Sequence, residues 1–323
     1  MRAMVCGGAG YIGSHMVRGL SRAGHDILVV DDLSTGHREA VGNEPLKQLS
    51  LLDGAQLDAV VKEFRPDVVF HFAALSLVGE SVLDPLRYHR NNVTGTLCLL
   101  EALQRHAVKR LVFSSTAAVY GTPASAFLDE SHDLRPINPY GTTKMIVEAM
   151  LAEAWRAYGL RSVSLRYFNA AGADAEGDIG ESHQPETHLI PNVLRAASGE
   201  TRLRVFGTDY STPDGTCVRD FVHVNDLVSA HLLACDYLQR NDGAFRFNLG
   251  SGFGYSVKEV IEAVERVTGR AVPYDVEARR EGDPGRLVAS HALASRELGW
   301  TPGMSDLDTI VRTAARWHKQ RRY

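Results

Sequence analysis

A tyrosine and a lysine four residues apart are the side chains of this sequence best suited to moving a proton. Tyr140 and Lys144 lie at the start of a predicted helix, where residues four apart share one face. A phenol has a pKa of about 10, and an ammonium group beside it favours the phenolate. Thr116 follows a buried strand and could bond the reacting oxygen through its hydroxyl. Each residue alone is more typical of a solvated surface or a strand end, but together they predict a proton shuttle beside a hydride acceptor.

A glycine-rich turn near the N-terminus indicates what the hydride acceptor is. Gly7, Gly10 and Gly13 follow a short apolar strand and lead into an amphipathic helix. Glycines at such a turn allow the diphosphate of a dinucleotide to lie at the helix N-terminus. The next predicted strand, over residues 26–30, ends at Asp31, where a carboxylate binds the ribose hydroxyls of NAD and repels a 2′-phosphate. The sequence therefore predicts NAD, rather than NADP, as the cofactor.

Apolar strands alternate with amphipathic helices over the first half of the chain, which predicts a doubly wound parallel sheet of the Rossmann type with helices on both faces. We assign residues 1–169 to this NAD-binding α/β domain. The predicted elements are strands at 67–74, 110–115 and 162–167 and helices at 57–64, 86–106 and 140–158, in addition to the N-terminal turn.

Loops rich in glycine, aspartate, proline and histidine follow residue 169, and the elements after them are shorter and less regular. We expect residues 170–323 to form a smaller, irregular α/β lobe that binds the substrate, with some segments returning to the main sheet. The predicted helices of this lobe are 189–198, 224–238, 257–267 and 307–319, and the predicted strands are 203–206 and 245–249.

Composition excludes several classes of partner. A formal charge of −4 leaves no basic stripe, so binding to nucleic acid or to an anionic membrane is disfavoured. The four cysteines have no C-x-x-C spacing, which favours reduced thiols in a cytoplasmic protein. No apolar stretch is long enough to span a bilayer. The first residues form the strand of the cofactor turn, so we do not expect them to be a cleaved signal.

Three residues of the loop after residue 169 could ligate a metal ion. His183, Glu186 and His188 are close in sequence. Such a group is more often simply a polar loop, and the sequence offers no obvious ligand that completes it. We therefore expect no metal.

The motifs taken together resemble those of the UDP-glucose (UDP-galactose) 4-epimerases, within the extended short-chain dehydrogenase/reductase family. The resemblance covers essentially the whole chain, and its later motifs are more specific for nucleotide-sugar epimerases than the superfamily-wide N-terminal ones. It is carried by the segments 7–13, 31–34, 71–74, 78–81, 91–93, 113–116, 120–121, 138–144, 165–169 and 214–220.

The resemblance implies a reversible epimerisation at C4 of a UDP-hexose, through a 4-keto intermediate and with tightly bound NAD. It also implies a homodimer in which the helices at 86–106 and 140–158 pair. Other readings stay open, namely an epimerase for UDP-GlcNAc/UDP-GalNAc or a UDP-pentose, a nucleotide-sugar dehydratase, and a non-catalytic NAD-sensing regulator. The intact set of Thr116, Tyr140 and Lys144 argues against the regulator.

The resemblance also assigns residues to the cofactor. Besides the three glycines, Tyr140 and Lys144, the implied NAD contacts are Tyr11, Ile12, Asp31, Leu33, Ser34, Thr35, Gly36, Ser50, Leu51, Phe72, Ala73, Ala74, Ser76, Asn91 and Phe168. Ser50 stands where an aspartate is common, and Ser76 replaces a lysine that reaches the phosphates in some members. These two departures affect the expected affinity for NAD.

The implied substrate contacts lie mainly in the second lobe. Together with Thr116, they are Asn169, His188, Leu189, Arg204, Phe206, Arg219, Arg280, Asp283 and Leu287. A guanidinium fork suits a diphosphate, which supports Arg219 and Arg280 independently. His188 replaces an asparagine common in the uridylyl pocket. Leu287 stands where a bulky tyrosine closes the sugar pocket in some members, so we expect it to influence which sugars fit.

Overall fold

The computed structural model describes residues 1–122, 127–280 and 284–323, which are organised around one large parallel sheet. Its inner strands are almost continuously buried, as strands covered on both faces must be. In chain order the strands are β1 (Arg2–Cys6), β2 (Asp26–Asp31), β3 (Leu46–Gln48), β4 (Val68–His71), β5 (Arg110–Thr116), β6 (Phe127–Leu128), β7 (Arg161–Tyr167), β8 (Asn169–Ala171), β9 (Leu203–Phe206), β10 (Val218–Arg219), β11 (Phe221–His223), β12 (Ala244–Leu249), β13 (Tyr255–Ser256), β14 (Tyr274–Glu277) and β15 (Arg286–Ala289).

Helices with one apolar stripe cover the sheet and build the second lobe. They are α1 (Tyr11–Arg22), α2 (Gly54–Phe64), α3 (Val78–Leu83), α4 (Pro85–Tyr88), α5 (Gly95–Arg105), α6 (Pro139–Tyr158), α7 (Leu189–Ala197), α8 (Val224–Arg240), α9 (Val257–Thr268), α10 (Ala292–Leu298) and α11 (Leu307–Gln320). Short 3₁₀ turns lie at Arg38–Val41 and Ala117–Tyr120. No helix of the described residues is both long enough and apolar enough to cross a membrane.

The order of strands across the sheet places a crevice at its centre. The order is β3–β2–β1–β4–β5–β7–β12, with every pair parallel. The chain runs outward from β1 in both directions, and a ligand crevice forms at the carboxyl ends where the direction reverses. This confirms the predicted doubly wound parallel sheet.

The described residues also form three smaller sheets, built mainly by the second lobe, which in addition contributes to the main sheet. The sheets are β13–β10–β15–β6, β11–β8 and β14–β9, and helices α7, α9 and α11 share an apolar core that includes Val193, Val260 and Ile310. Strand β12 lies at the edge of the large sheet, beside β7. The domain boundary after residue 169 stays a prediction.

The structure divides the single helix predicted over 86–106. Residues 85–88 form α4, residues His89–Thr94 form a π-helical turn, and α5 begins at Gly95. A π turn admits an extra residue, which reorients the side chains on it and is common at functional sites. Here Asn92 is buried and binds both the N–H and the C=O of Leu75, while its amide also donates to Thr143 at 3.0 Å. The interruption therefore fixes the loop after β4 against α6.

The strand predicted over 67–74 ends early, at His71, because the chain turns toward the glycine loop. The N–H groups of Phe72 and Ala73 both donate to the carbonyl of Cys6, at 2.8 and 3.0 Å. Gly7 has a φ of +79°, and a Cβ there would lie 2.4 Å from the backbone nitrogen of Ala73. Only glycine fits this crossing of two chain segments.

Gly13 and Gly10 differ sharply in the space around them. A Cβ on Gly13 would lie 2.0 Å from the carbonyl oxygen of Gly7, whereas a Cβ on Gly10 would meet the same atom at 3.5 Å. The first is a clash with backbone, and the second is an ordinary contact. Gly13 is therefore required for α1 to pack against the turn, while Gly10 leaves room in front of it.

We predict that Gly13→Ala lowers the free energy of unfolding of the nucleotide-free protein by at least about 2 kcal/mol, since the backbone of the turn must move. Gly10→Ala should change it by no more than about 0.5 kcal/mol. Urea unfolding followed by circular dichroism measures both variants. Equal unfolding midpoints for the two would contradict the packing role of Gly13.

Candidate active site

A cleft runs along the carboxyl ends of the central strands and contains most of the residues predicted to bind NAD. The predicted residues that line it are Gly7, Gly10, Tyr11, Ile12, Gly13, Asp31, Ser34, Thr35, Ser50, Leu51, Phe72, Ala73, Ala74, Ser76, Asn91, Thr116, Tyr140, Lys144, Phe168, Asn169 and His188. Leu33 and Gly36 lie behind this wall. Leu33 packs against the apolar core, and Gly36 lies against the backbone of Ala9.

The first turn of α1 offers unpaired N–H groups to the cleft. Gly10 is the N-cap residue and has no side chain with which to accept hydrogen bonds from this turn. Residues 11–13 line the cleft, and the first turn carries no acidic side chain. Free N–H groups at the positive end of a helix dipole bind anions. This is the arrangement that the diphosphate of a dinucleotide requires.

Asp31, at the end of β2, fixes the glycine turn as well as lining the cleft. Its carboxylate accepts hydrogen bonds from the N–H of Ala9 at 2.9 Å and from the N–H of Leu33 at 2.8 Å. Burial raises the pKa of Asp31, and these two bonds oppose the rise. Each oxygen keeps a second lone pair for a ribose hydroxyl.

Two elements bring the predicted shuttle residues together. Helix α6 begins at Asn138, whose side chain accepts a hydrogen bond from the N–H of Gly141 at 2.8 Å, and this cap places Tyr140 in the first turn. Thr116 ends β5, and its hydroxyl accepts from the N–H of Ala118 at 3.1 Å. Tyr140 is hydrogen-bonded to Thr116. The three side chains thus share one end of the cleft, as the sequence predicts.

Burial dominates the electrostatics of the shuttle. Lys144 is 2 % exposed, donates to the carbonyl of Ser114 at 2.8 Å, and lies 5.8 Å from the centre of the Tyr140 ring. Burial lowers the pKa of Lys144 to about 7, against the opposing charge of Glu148. Burial also raises the pKa of Tyr140, and the bond to Thr116 opposes this. In the nucleotide-free site both shifts disfavour the phenolate–ammonium pair, so the phenolate needs further positive charge beside it, while Glu148 favours the ammonium.

A buried ionic network behind Lys144 was not visible in the sequence. Glu148, one turn further along α6, accepts from Ser115 at 2.6 Å and from the Nε of Arg166 at 2.9 Å. Arg166 also donates to the hydroxyl of Tyr120, which donates to Asn248 at 2.7 Å. The spacing of Lys144 and Glu148 was the available signal, since both lie on the face of α6 that turns to the sheet.

Two separate parts of the second lobe hold the predicted substrate residues. Arg219 and Leu287 are opposite each other in the β10–β15 pair, and Leu287, like Phe168, packs against the apolar cluster of the 117–120 turn. The ring of Phe206 is close to two guanidinium groups, with Arg280 at 3.9 Å and Arg204 at 5.0 Å from the ring centre.

The arginines differ in their surroundings. Arg204 forms an ion pair with Glu277 at 2.6 Å, whereas Arg219 donates to the carbonyls of Val218 and Pro284. Leu189 is the first residue of α7. Asp283 lies outside the described residues.

Comparison with known proteins agrees with this geometry. The model of the NAD dependent epimerase/dehydratase family matches residues 3–250. A UDP-glucose 4-epimerase of Halalkalibacterium halodurans is 49% identical over 321 residues, which are 99% of this chain and 96% of that protein. A crystal structure of UDP-glucose 4-epimerase from Brucella ovis in complex with NAD is 50% identical, with a TM-score of 0.95 over 97% of both chains.

A more distant solved structure shares the same fold along its whole length. The UDP-glucose 4-epimerase of Bifidobacterium longum, in complex with NAD⁺ and UDP, is 38% identical, with a TM-score of 0.93 and 99% of both chains covered. The sequence motifs, the parallel sheet, the glycine turn and the shuttle residues therefore have one origin, and the chain belongs to the NAD dependent epimerase/dehydratase family.

Proposed function

We propose that this chain is an NAD-dependent epimerase that interconverts UDP-glucose and UDP-galactose by inverting C4. The observation that carries the proposal is the convergence of Thr116, Tyr140 and Lys144 in a cleft that the glycine turn also lines. The relatives named above, similar over nearly their whole length, support the same activity. In this proposal residues 1–169 bind NAD, and residues 170–323 supply the uridylyl anchors.

The cleft fits the proposed cofactor. The uncapped first turn of α1 faces the diphosphate position, and the acceptor oxygens of Asp31 face the ribose position. Ser50 and Ser76 line the same cleft with neutral hydroxyls, so they offer hydrogen bonds without charge. When bound, NAD supplies a hydride acceptor for C4 that gives the hydride back within the same cycle.

The chain's own residues handle the proton. Tyr140 accepts the proton of the sugar 4-hydroxyl as C4 is oxidised, and returns it when C4 is reduced on its opposite face. Thr116 hydrogen-bonds the 4-oxygen and holds it at the phenol. Lys144 stabilises the Tyr140 phenolate, and the positive nicotinamide ring would add charge that offsets the effect of burial on Tyr140. For Lys144 it is the carboxylate of Glu148 that opposes the effect of burial. The proton thus remains on one oxygen or the other throughout.

The keto intermediate must turn over between the two hydride transfers, so only part of the substrate can be held. We assign the diphosphate to Arg219 and Arg280, whose guanidinium groups suit phosphate oxygens. Phe206 lies beneath Arg280 and restricts its orientation. Leu287 and Phe168 pack against the same apolar cluster, and we assign Leu287 to the border of the space for the sugar. These contacts anchor the uridylyl part while the hexose rotates.

A second copy of the chain is the proposed partner of the surface formed by α3, α4 and the outer faces of α5 and α6. Four apolar side chains there are strongly exposed, with Leu83 at 87%, Leu86 at 79%, Val82 at 60% and Leu97 at 45%. Ile146 on α6 is half-buried beside them. An apolar patch of this kind marks an interaction surface. Leu86 and Leu97 lie in the first of the two segments predicted to pair, and Val82 and Leu83 directly precede it, which supports a homodimer.

We also place the enzyme in the cytoplasm. All four cysteines are free, and Cys6 and Cys235 are buried. Reduced thiols of this kind are typical of cytoplasmic proteins.

The proposed reaction is tested by the product formed in D2O without added NAD. UDP-glucose should give UDP-galactose of unchanged mass with protium retained at C4 and C5, because the hydride returns internally and the exchanging proton is on oxygen. Mass spectrometry measures the product mass, and proton NMR measures the protium at C4 and C5.

A dehydratase would instead remove water from the sugar and exchange the hydrogen at C5 with solvent, which needs an acid and a base. Ala117 and Ala118, directly after Thr116, can supply neither. Loss of water from the bulk product would overturn the proposal.

The role of Tyr140 is tested by Tyr140→Phe, with Tyr158→Phe at the far end of the same helix as the matched control. The first change should lower kcat by roughly 10²-fold or more, the scale of general acid–base catalysis. Binding of NAD and UDP-glucose should change little, because the ring remains. Tyr158→Phe should keep the parent rate. A Tyr140→Phe enzyme as fast as its control would remove the phenol from the shuttle.

The proposed dimer is tested with the double variant Leu83→Glu, Leu86→Glu. The parent should sediment at twice the mass of one chain and the variant as a monomer, because two carboxylates per chain must be desolvated in the interface. Analytical ultracentrifugation measures the mass. Phe253→Glu, at an exposed apolar residue of the second lobe, is the control and should remain dimeric. A dimeric double variant would assign the contact to another surface.

A further inference from the structure

Four side chains with metal-ligating atoms converge in the loop between β8 and α7. The sequence suggested three of them, His183, Glu186 and His188, and offered no fourth. The structure adds Glu181, which brings one ligand atom from each residue within 4.8 Å of every other. All four come from an eight-residue segment, so a single loop provides the whole set.

The four nitrogen–oxygen distances in this cluster scatter around the edge length of a tetrahedral site. The Nδ1 of His188 lies 2.6 Å from the Glu181 carboxylate and 3.2 Å from that of Glu186. The Nδ1 of His183 lies 3.2 Å from Glu181 and 3.9 Å from Glu186. Nitrogen and oxygen ligands bind zinc at about 2.0–2.1 Å, which separates neighbouring ligand atoms of a tetrahedron by about 3.3 Å. The mean of the four distances is close to this separation.

Two of the converging atoms are buried and contact other members of the same cluster. Glu181 is 9% exposed, and its Oε1 lies 2.6 Å from the Nδ1 of His188 and 3.2 Å from that of His183. Outside the cluster, neither this oxygen nor the Nδ1 of His183 has a hydrogen-bond partner among the described residues. Each contact is a hydrogen bond only if the imidazole nitrogen carries a proton. A cation bound between these atoms would take the place of those protons.

We propose that Glu181, His183, Glu186 and His188 bind one divalent transition-metal ion of the zinc class. Two imidazoles and two carboxylates are ligands that zinc accepts, and oxygen-only ions such as magnesium would not use the histidines. With four protein ligands the ion has no open position for a substrate, so the site is structural. It lies apart from the shuttle residues and supplies no step of the reaction.

The ion would fix a loop that borders the cofactor and substrate. Glu181, His183 and His188 all line the cleft, and the ring of Tyr11 lies edge-on to that of His183 at 6.4 Å. His188 directly precedes α7 and is its N-cap residue. Metal binding would thus hold the N-terminus of α7 near Tyr11, in the first turn of α1. Its loss should weaken binding of UDP-sugar before it changes the rate of the bound complex.

The test is direct uptake of zinc by untagged protein that has been stripped with a chelator and dialysed. Titration with ZnCl₂ against a chromophoric competitor should show one ion per chain. Replacing zinc with CoCl₂ should give the intense visible absorption of four-coordinate cobalt. Glu181→Gln preserves the shape of the side chain but removes its charge. It should weaken zinc binding by more than about 100-fold, a larger loss than is typical when a residue that only orients the ligands is replaced.

Glu200→Gln is the matched control, because Glu200 lines the neighbouring cavity but does not belong to the four. It should bind zinc as the parent does. His183→Ala is a second ligand variant, and circular dichroism shows that each variant is folded. If the parent takes up no zinc, the proposal fails. The four side chains would then be held together by ion pairs between protonated His188 and the two carboxylates. Equal affinity of Glu181→Gln and Glu200→Gln would also overturn it. Neither readout needs turnover, so both are independent of the proposed activity.

Discussion

The buried ion pair of Glu148 and Arg166 is the interaction on which the active site depends. Their side chains are 1% and 2% exposed and meet at 2.5 Å. Desolvation of two such charges is repaid only when further hydrogen bonds satisfy them. Ser115 supplies one to the carboxylate, and Tyr120 accepts one from the guanidinium. The pair therefore locks α6 to β5 and β7 at the level where their functional side chains leave the sheet.

The same carboxylate acts on the shuttle through charge. Glu148 lies one turn beyond Lys144 and favours its ammonium form, against a burial effect that lowers the lysine pKa to about 7. Without the carboxylate of Glu148, the pKa of Lys144 would be lower still. Lys144 would then be a neutral amine, which cannot stabilise the Tyr140 phenolate. The network is thus both a packing device and a source of the field that the proposed chemistry needs.

The local parts of this arrangement were predictable from the sequence, and the long-range parts were not. The cap at Asn138 and the spacing of Tyr140 and Lys144 lie within seven residues, so helix geometry alone places them. Arg166 reaches Glu148 only because β7 lies beside β5. The π turn that holds Asn92 has no local signature, since its amide is satisfied by Leu75 and Thr143, which are distant in sequence. Short strands such as β10 and β15 depend on their partners in the same way.

Buried carboxylates that accept main-chain N–H groups also join the large sheet to the second lobe, because β12 of the large sheet comes from residues after 169. Asp220 accepts from Ser251, Gly252 and Ala289, and so ties the end of β12 in the large sheet to β15 in the second lobe.

Asp226, near the start of α8, accepts from Gly303 and Met304 and holds the segment before α11. Because β11 leads directly into α8, the strand that lies beside Asn169 is fixed by the helix that covers the sheet. The large sheet and the second lobe are therefore held together. In the proposed reaction, the uridylyl-binding residues of the second lobe can then stay at a constant distance from Tyr140 and Lys144. A reaction in which the sugar turns while the nucleotide stays in place requires this.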